Sequence, residues 1–350
     1  MLTGAQRAAW LAARRKGITG TDIAAILGVS PWRTALDVYL EKRGEAAPVP
    51  VTEAMWWGTY LEQGIARRYA ELLQVGRSDV RRGAAIARCF PARRARVFGS
   101  GAGAHVLVRH PQHACLLGTF DALVPALGRG AEFKAVSDSA ADEWGDQGTD
   151  QIPAHYLVQC AAYMAIAEQP RWDVAAIIGA GARVSGTLAL YQVERNAALE
   201  AEITDAAVRF WRGHVLAGVP PAVDGSESWR RYLATRYQRG TGIVLRATPQ
   251  VTALAARYRE AQTRRQAAER DELLIRNQLA AVLRSADRAR GPFGSIGWVR
   301  PGPKSVTDWE TLARSLHPAP AVLARYTYTA QDAAYLRAWW ARTAETDGTR

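Results

Sequence analysis

Along residues 56 to 73, WWGTYLEQGIARRYAELL, apolar side chains return at Leu61, Ile65, Tyr69 and Leu72, the period of a helix with one buried face. Glu62 sits beside that face. Two shorter capped helices are predicted upstream. Thr21 precedes DIAAIL with Gly28 after it, and Ser30 caps a second helix with Pro31 at its first position and Gly44 beyond its end. Between 77 and 113, eight arginines and one acid, Asp79, separate short apolar segments such as AAIA and HVLV, which read as strands with turns. ACLLGTFDALVPAL and AEFKAV then read as the two arms of a β-hairpin joined across Gly128 and Gly130. IPAHYLVQCAAYMAIA is helical, RWDVAAIIGA and TLALYQVER are strands, and a helix from about Ala197 to Leu216 closes this portion. The order of elements predicts an α/β protein with a mixed β-sheet flanked by helices.

The tail has a different pattern. Leu254, Ala261, Ala268, Ile275 and Val282 recur every seven residues, which predicts a long helix with one packed stripe, as in a short coiled coil. SIGWV follows as a strand and TDWETLARSL as a last amphipathic helix. The expected division is a core over 1–240 and a C-terminal appendage over 241–350 with a long helix, a short β segment and a terminal helix.

Composition adds a partner. A formal net charge of +12 and a pI near 10 favour a polyanion such as nucleic acid, bound by neutralising phosphates and releasing their counterions. Arginine supplies almost all of this charge, since only Lys16, Lys42, Lys134 and Lys304 are lysines among 45 basic residues. A lysine kept two positions after Glu132 is therefore informative, because lysine and arginine are not interchangeable in chemistry. Cys89, Cys115 and Cys160 are odd in number and far apart, which suggests buried thiols rather than a disulfide framework or a zinc or iron-sulfur site. With no signal-peptide run and no apolar stretch of membrane-spanning length, the expected location is the cytoplasm, with no membrane partner.

The candidate chemistry lies in GTFDALVPALGRGAEFKAV at 118–136. Asp121, ten residues, Glu132, one residue and Lys134 fit the D-x(n)-E-x-K core of metal-dependent phosphodiester hydrolysis. Carboxylates on adjacent strands can hold a hard cation such as Mg²⁺. Residues two apart on a strand share a face, so Glu132 and Lys134 project together while Phe133 points into the core. Taken alone, an E-x-K is more often a solvated strand face. The neighbouring motifs decide between the two.

RRKGITGTDIAAILGVSPW, WWGTYLEQGIARRYAE, LLGTFDALV, EFKAV and IPAHYLVQCAAYM occur here in the order and spacing of the phage lambda exonuclease and YqaJ viral recombinase nucleases, a branch of the PD-(D/E)XK superfamily that the chain resembles over residues 10 to 215. The resemblance implies a restriction-endonuclease-like core. It also implies a Mg²⁺-dependent exonuclease, with Mn²⁺ able to substitute, that resects double-stranded DNA ends from the 5′ side and leaves a 3′ single strand for an annealing protein. By position, Glu62 is similar to the family's first-helix acid, Lys134 to its catalytic lysine and Gln159 to the glutamine of the following helix. The implied metal set is Asp121, Glu132, the backbone carbonyl of Phe133, and Glu62. Arg14, Thr21 and Thr119 align with residues that bind the 5′-phosphate. The chain departs from the family pattern at Gln63, Ala122 and Ala161, none of which carries the chemistry. The family also implies a homo-oligomer, a ring of three subunits in the lambda enzyme.

Physical arguments reach the same phosphate residues. Thr21 is expected to cap a helix whose free N–H groups suit an anion, arginine grips phosphate with parallel hydrogen bonds, and Thr119 and Asp121 would share one strand face. Other readings of these residues stand beside the catalytic one. Glu62 would pair with Arg67 or Arg68, the arginines at 77–113 form a solvated DNA-tolerant surface, and Trp56 and Trp57 pack into the core. His105, His110 and His113 lack metal-ligand spacing. An endonuclease of restriction or repair type, or a catalytically silent DNA-end-binding scaffold, remain the alternative functions.

Overall fold

The computed structural model describes residues 2–47, 49–179, 188–237, 242–299, 308–317 and 319–326. The chain divides into two units, Met1–Leu233 and Ala234–Arg350. The outermost residues predicted for two strands, Ala180 and Thr187, lie outside the described residues.

The first unit opens with three helices rather than two: α1 (Gly4–Arg14), α2 (Gly20–Ile26) and α3 (Ala35–Arg43). The missed helix, α1, starts at Thr3, whose hydroxyl accepts from the Gln6 N–H while the Gln6 side chain accepts from Thr3 N–H. Both predicted caps shift. Asp22 accepts the backbone N–H and hydroxyl of Thr19, so Thr19 starts α2 and Thr21 falls in its first turn. Thr34 caps α3, with Asp37 returning the bond, while Ser30 instead accepts the N–H of Trp32 in a turn. Gly44 ends α3 in the left-handed conformation, as expected.

Next come α4 (Glu53–Leu72) and a 3-10 segment, Gly83–Cys89, which replaces the expected AAIA strand. A run of four apolar residues carries no period that separates these states. Strands β1 (Ile18–Thr19), β2 (Ala95–Phe98), β3 (His105–Arg109) and β4 (Leu116–Gly118) form one sheet in the order β1-β4-β3-β2, with β1 and β4 parallel. Strands β5 (Ala122–Val124), β6 (Arg129–Val136), β7 (Arg171–Ile178) and β8 (Leu188–Glu194) form a second in that order. The expected hairpin exists between β5 and β6, turned by Gly128 at φ 59°. Its longer arm is split, however, because Leu116–Gly118 belongs to the first sheet. Helices α5 (Ala154–Ala167) and α6 (Ala197–Phe210) follow, the latter continued by a π-helical turn, Trp211–Leu216, and then α7 (Glu227–Arg236). The result is the expected mixed α/β architecture, with sheets flanked by helices.

The second sheet is covered on both faces. Ile65 and Tyr69 of α4 pack with Ala131 and Phe133 on one side, while Trp172, Val174 and Ala176 belong to the core that holds α5. Only the second half of α4 has sheet beneath it, so Trp56 and Trp57 are 40% and 50% exposed and stack on each other and Tyr60 rather than entering the core. In the second unit, α8 (Pro249–Leu283) matches expectation, while the single strand expected at SIGWV is one arm of a hairpin of β9 (Arg288–Gly291) with β10 (Gly294–Gly297), and a short helix covers Trp309–Ser315. The seven-residue stripe of α8 is exposed at Leu254, Ile275 and Val282. Among the described residues, no helix is long and apolar enough to cross a membrane.

One buried ion cluster ties the first three helices together. Asp22 is fully buried and meets Lys42 of α3 at 2.6 Å and Arg33 at 2.9 Å. Burial opposes its ionisation, but Lys42, Arg33 and Arg14 outweigh that and hold the carboxyl well below the usual carboxylate range. Its stabilisation is therefore complete above the unfolded aspartate value of about 4 and is lost as pH falls below it. Asp22→Asn removes the nearer of the two carboxylates that meet buried Lys42, leaving only Glu41 at 3.3 Å, and is expected to cost about 3 kcal/mol in urea unfolding at pH 7. The gap to wild type should close below about pH 4. Equal stability of the two proteins at pH 7 would refute this account.

Candidate active site

The antiparallel register of β5 and β6 sets Ala122 opposite Ala131, so Asp121 and Glu132 meet across the strand pair. The backbone N–H of Phe133 donates to Asp121 Oδ2 at 2.8 Å. A strand residue presents its N–H and C=O to the same edge, so the Phe133 carbonyl also faces the Asp121 side. Its ring turns the other way, against Tyr69.

Glu132 and Lys134 share the opposite face, as their spacing requires. Lys134 Nζ donates to Glu132 Oε1 at 2.8 Å, and Gln159 Nε2, reaching down from α5, donates to the same oxygen at 2.7 Å. Gln159 also contacts the Tyr163 hydroxyl at 3.2 Å. Lys134 lies 4.7 Å from the centroid of the Tyr156 ring, a cation–π contact. Glu132 Oε2 is buried and has no hydrogen-bond partner.

The acids are held in an uncomfortable state. Burial, then the charge of Asp121, pushes the Glu132 carboxyl up to about 8. Burial and Asp121 likewise push Glu62 up to about 7, against the pull of Arg82. Burial raises Asp121 too, and Lys134 only partly offsets it. Burial disfavours the ammonium of Lys134, yet Glu132 and Asp121 together hold it above its ordinary value. Carboxylates crowded in this way are short of positive charge, and Glu132 keeps a buried oxygen free to meet it. The donor set therefore fits a hard divalent cation.

Glu62 is not yet turned to that task. Its expected partners were Arg67 or Arg68, but Arg68 pairs with Glu71, and Glu62 forms a short ion pair with Arg82 instead. Reciprocal backbone bonds between Arg81 and Leu123 of β5 fix this arginine, whose guanidinium lies 5.6 Å from the Phe133 ring centroid. Among the described residues, no three His, Cys, Asp or Glu side chains form a group that could hold a metal ion. Nothing in the arginine-rich spacing marks Arg82, so sequence reading left it in the solvated surface.

The phosphate candidates gather around a residue the sequence reading passed over. Thr19 accepts from Arg14 Nη2 at 3.3 Å and lies 3.2 Å from the Thr21 hydroxyl. Because β1 and β4 run parallel with Thr19 beside Leu117, Thr21 and Thr119 leave the same end of adjacent strands. Contrary to the expectation that Thr119 and Asp121 share one strand face, both lie in the link that carries the chain from the first sheet to the second. Thr119 Oγ1 and Arg14 Nε are buried without partners. Gly20 lets this group approach α5: a Cβ there would come within 2.9 Å of Tyr163 and 3.2 Å of Gln159. Thr19 had a signal after all, in Asp22 three residues on.

Residues 9–170 match the YqaJ-like viral recombinase domain. Uncharacterized protein YqaJ of Bacillus subtilis (strain 168) is 30% identical over 234 residues, which cover 65% of this chain. The chain spans 62% of the length of that relative. Among solved structures, an alkaline exonuclease (LHK-Exo) from Laribacter hongkongensis covers 65% of this chain and 98% of its own, at 18% identity and a TM-score of 0.42. A phage related exonuclease from Haemophilus somnus 129PT covers 58% and 96%, at 11% identity and a TM-score of 0.40. The family match takes in α2, α4, the Asp121–Lys134 hairpin and α5, and so contains every candidate residue described above. The match over 9–170 falls on the same stretch as the ordered motifs from RRKGITGTDIAAILGVSPW to IPAHYLVQCAAYM, which makes this segment similar to the YqaJ-like viral recombinase domain.

Proposed function

We propose that the protein is a Mg²⁺-dependent nuclease that hydrolyses linear double-stranded DNA from its 5′ ends, leaving 3′ single strands for an annealing protein in phage-type recombination. Mn²⁺ would substitute for Mg²⁺. The observation that carries this reading is the convergence of Asp121, Glu132, Lys134 and Gln159 on one strand pair inside a YqaJ-like domain. The core over 1–240 would perform the reaction in the cytoplasm, with the appendage over 241–350 serving assembly as a homo-oligomer, a trimeric ring being one form.

Asp121, Glu132, the Phe133 carbonyl and, once released from Arg82, Glu62 would hold the cation. When bound, a divalent cation polarises a phosphoryl oxygen and makes a nearby water more acidic. The chain's own groups do the rest. Gln159 and Lys134 bind Glu132 Oε1 and so leave Oε2 for the metal. The Lys134 ammonium, fixed between Glu132 and the Tyr156 ring, can orient the attacking water and oppose charge gathering on the phosphoryl oxygens. Arg14 and Thr119, through their unused donors, and the Thr21 hydroxyl would take a terminal 5′-phosphate and thereby favour ends over interior sites.

Three outcomes are expected. Asp121→Ala or Glu132→Ala should reduce cleavage by more than the roughly 10–100-fold that outer-sphere partners of a metal cost, with DNA binding retained. The assay is digestion of a blunt duplex labelled at the 5′ or the 3′ end, with Mg²⁺ or EDTA, beside a closed circle. Wild-type rates in either variant would remove both residues from the site, and cutting of the circle would indicate an endonuclease.

Mg²⁺ binding should strengthen as pH rises from 6 to 8.5, since Glu62 and Glu132 carry protons below about 7 and about 8 that the cation must displace. Calorimetry in two buffers of different ionisation enthalpy should record proton release near pH 7 that fades above pH 9. A binding constant flat across that range would contradict the assignment of these carboxylates as ligands.

Wild type should also digest 5′-phosphorylated ends faster than 5′-hydroxyl ends. Arg14→Ala should erase that preference without slowing the 5′-hydroxyl reaction. Equal wild-type rates on the two ends would dismiss the phosphate pocket.

A further inference from the structure

We propose that Trp32, His155 and Tyr156 form a stacking subsite that holds a nucleobase of the DNA strand whose phosphodiester enters the candidate active site. The inference rests on the nuclease reading above and extends it to a class of contact, the base rather than the phosphate.

The geometry is a continuous series of rings running from solvent to the reacting centre. Trp32 is 69% exposed. Its ring meets His155 edge to face, at 4.8 Å and 81°, and stands 6.3 Å from Tyr156. His155 in turn lies 4.0 Å from the Tyr156 ring, the same ring over which the Lys134 ammonium sits at 4.7 Å. One end of the series is therefore open to a planar ligand, and the other touches the lysine that binds Glu132.

An exposed indole is ordinarily free to rotate on its loop, which would make ordering it costly. Here the loop is fastened on both sides of the ring. Arg33, the next residue, donates to fully buried Asp22 at 2.9 Å and to Glu41 at 2.6 Å, and the Trp32 N–H bonds back to Ser30 Oγ at 3.4 Å. The same Asp22 holds Thr19 and, through it, Arg14. A single buried carboxylate thus anchors both the aromatic loop and the candidate phosphate group, so the two are set at a constant separation. Preorganisation of this kind reduces the entropy lost when a ligand is ordered.

The chemistry of the rings also favours a base. Every nucleobase offers a π-face, and stacking on aromatic side chains is sequence-tolerant, as suits an enzyme that digests any sequence. His155 is 91% buried by its 9% exposure, its Nε2 has no partner, and burial lowers its pKa, which keeps the ring neutral near pH 7. A neutral imidazole packed between the indole and the Tyr156 ring supports the stack without competing for phosphate.

The test is equilibrium binding of the full-length protein in EDTA, read by fluorescence anisotropy, so that cleavage plays no part. The probes are a short labelled single-stranded oligonucleotide and a counterpart of the same length built from abasic residues. Wild type should bind the base-bearing strand roughly 5- to 150-fold more tightly. Trp32→Ala should lose most of that difference while binding the abasic strand like wild type, and Trp32→Phe should keep it. The subsite is overturned if wild type does not distinguish the two strands, if Trp32→Ala binds the base-bearing strand as tightly as wild type, or if the alanine variant weakens both strands equally. Base-selective binding lost in Trp32→Ala, together with no cleavage of duplex by wild type in Mg²⁺, would uphold the subsite while rejecting the nuclease reading.

Discussion

The pairing of β5 with β6 is the constraint on which the rest of the site depends. It is only three residues long on the β5 side, yet its register places Asp121 across from Glu132 and aims the Phe133 N–H at Asp121. A slip of one residue would turn Glu132 and Lys134 to the α4 face and bring Phe133 to the α5 face. The flanking layers prevent that slip. Phe133 is packed against Tyr69 of α4, and Glu132 is bonded by Gln159 of α5, so the strand is read from both sides at consecutive positions.

Holding carboxylates together under burial is unfavourable, and the fold meets this cost with positive groups of different kinds. Lys134 answers Glu132, Arg82 answers Glu62, and the Phe133 amide answers Asp121. These partners are unequal in what they leave open. Asp121 and Glu132 remain short of charge, and Glu132 retains an unbonded oxygen, whereas Glu62 gives its Oε1 to Arg82.

A second buried carboxylate organises the other end of the domain. Asp22 binds Lys42, Arg33 and Thr19, which together fix α3, the Trp32 loop and the Arg14 side chain. The two acid centres are joined by chain, since β4 pairs with β1 beside Thr19 and leads within three residues to Asp121. The two candidate groups therefore share one backbone path.

The sequence by itself determined the candidate side chains, most of the elements and the resemblance to a family. Asp121, Glu132, Lys134 and Gln159 stand in spaced motifs, and α4, α5, β6 and α8 carry long, regular patterns or strong caps. Local signals suffice there because side-chain period follows backbone geometry within one element. Tertiary structure alone decided the rest. The division of LLGTFDALV between two sheets, the 3-10 form of AAIA, the exposure of Trp56 and Trp57, and the choice of Arg82 as partner of Glu62 all depend on what lies across space. Arg82 is one of eight arginines in its stretch with no local mark, and only the Arg81–Leu123 bridge delivers it to Glu62. Burial, register and charge pairing are relations between distant segments, and no window of sequence contains both partners.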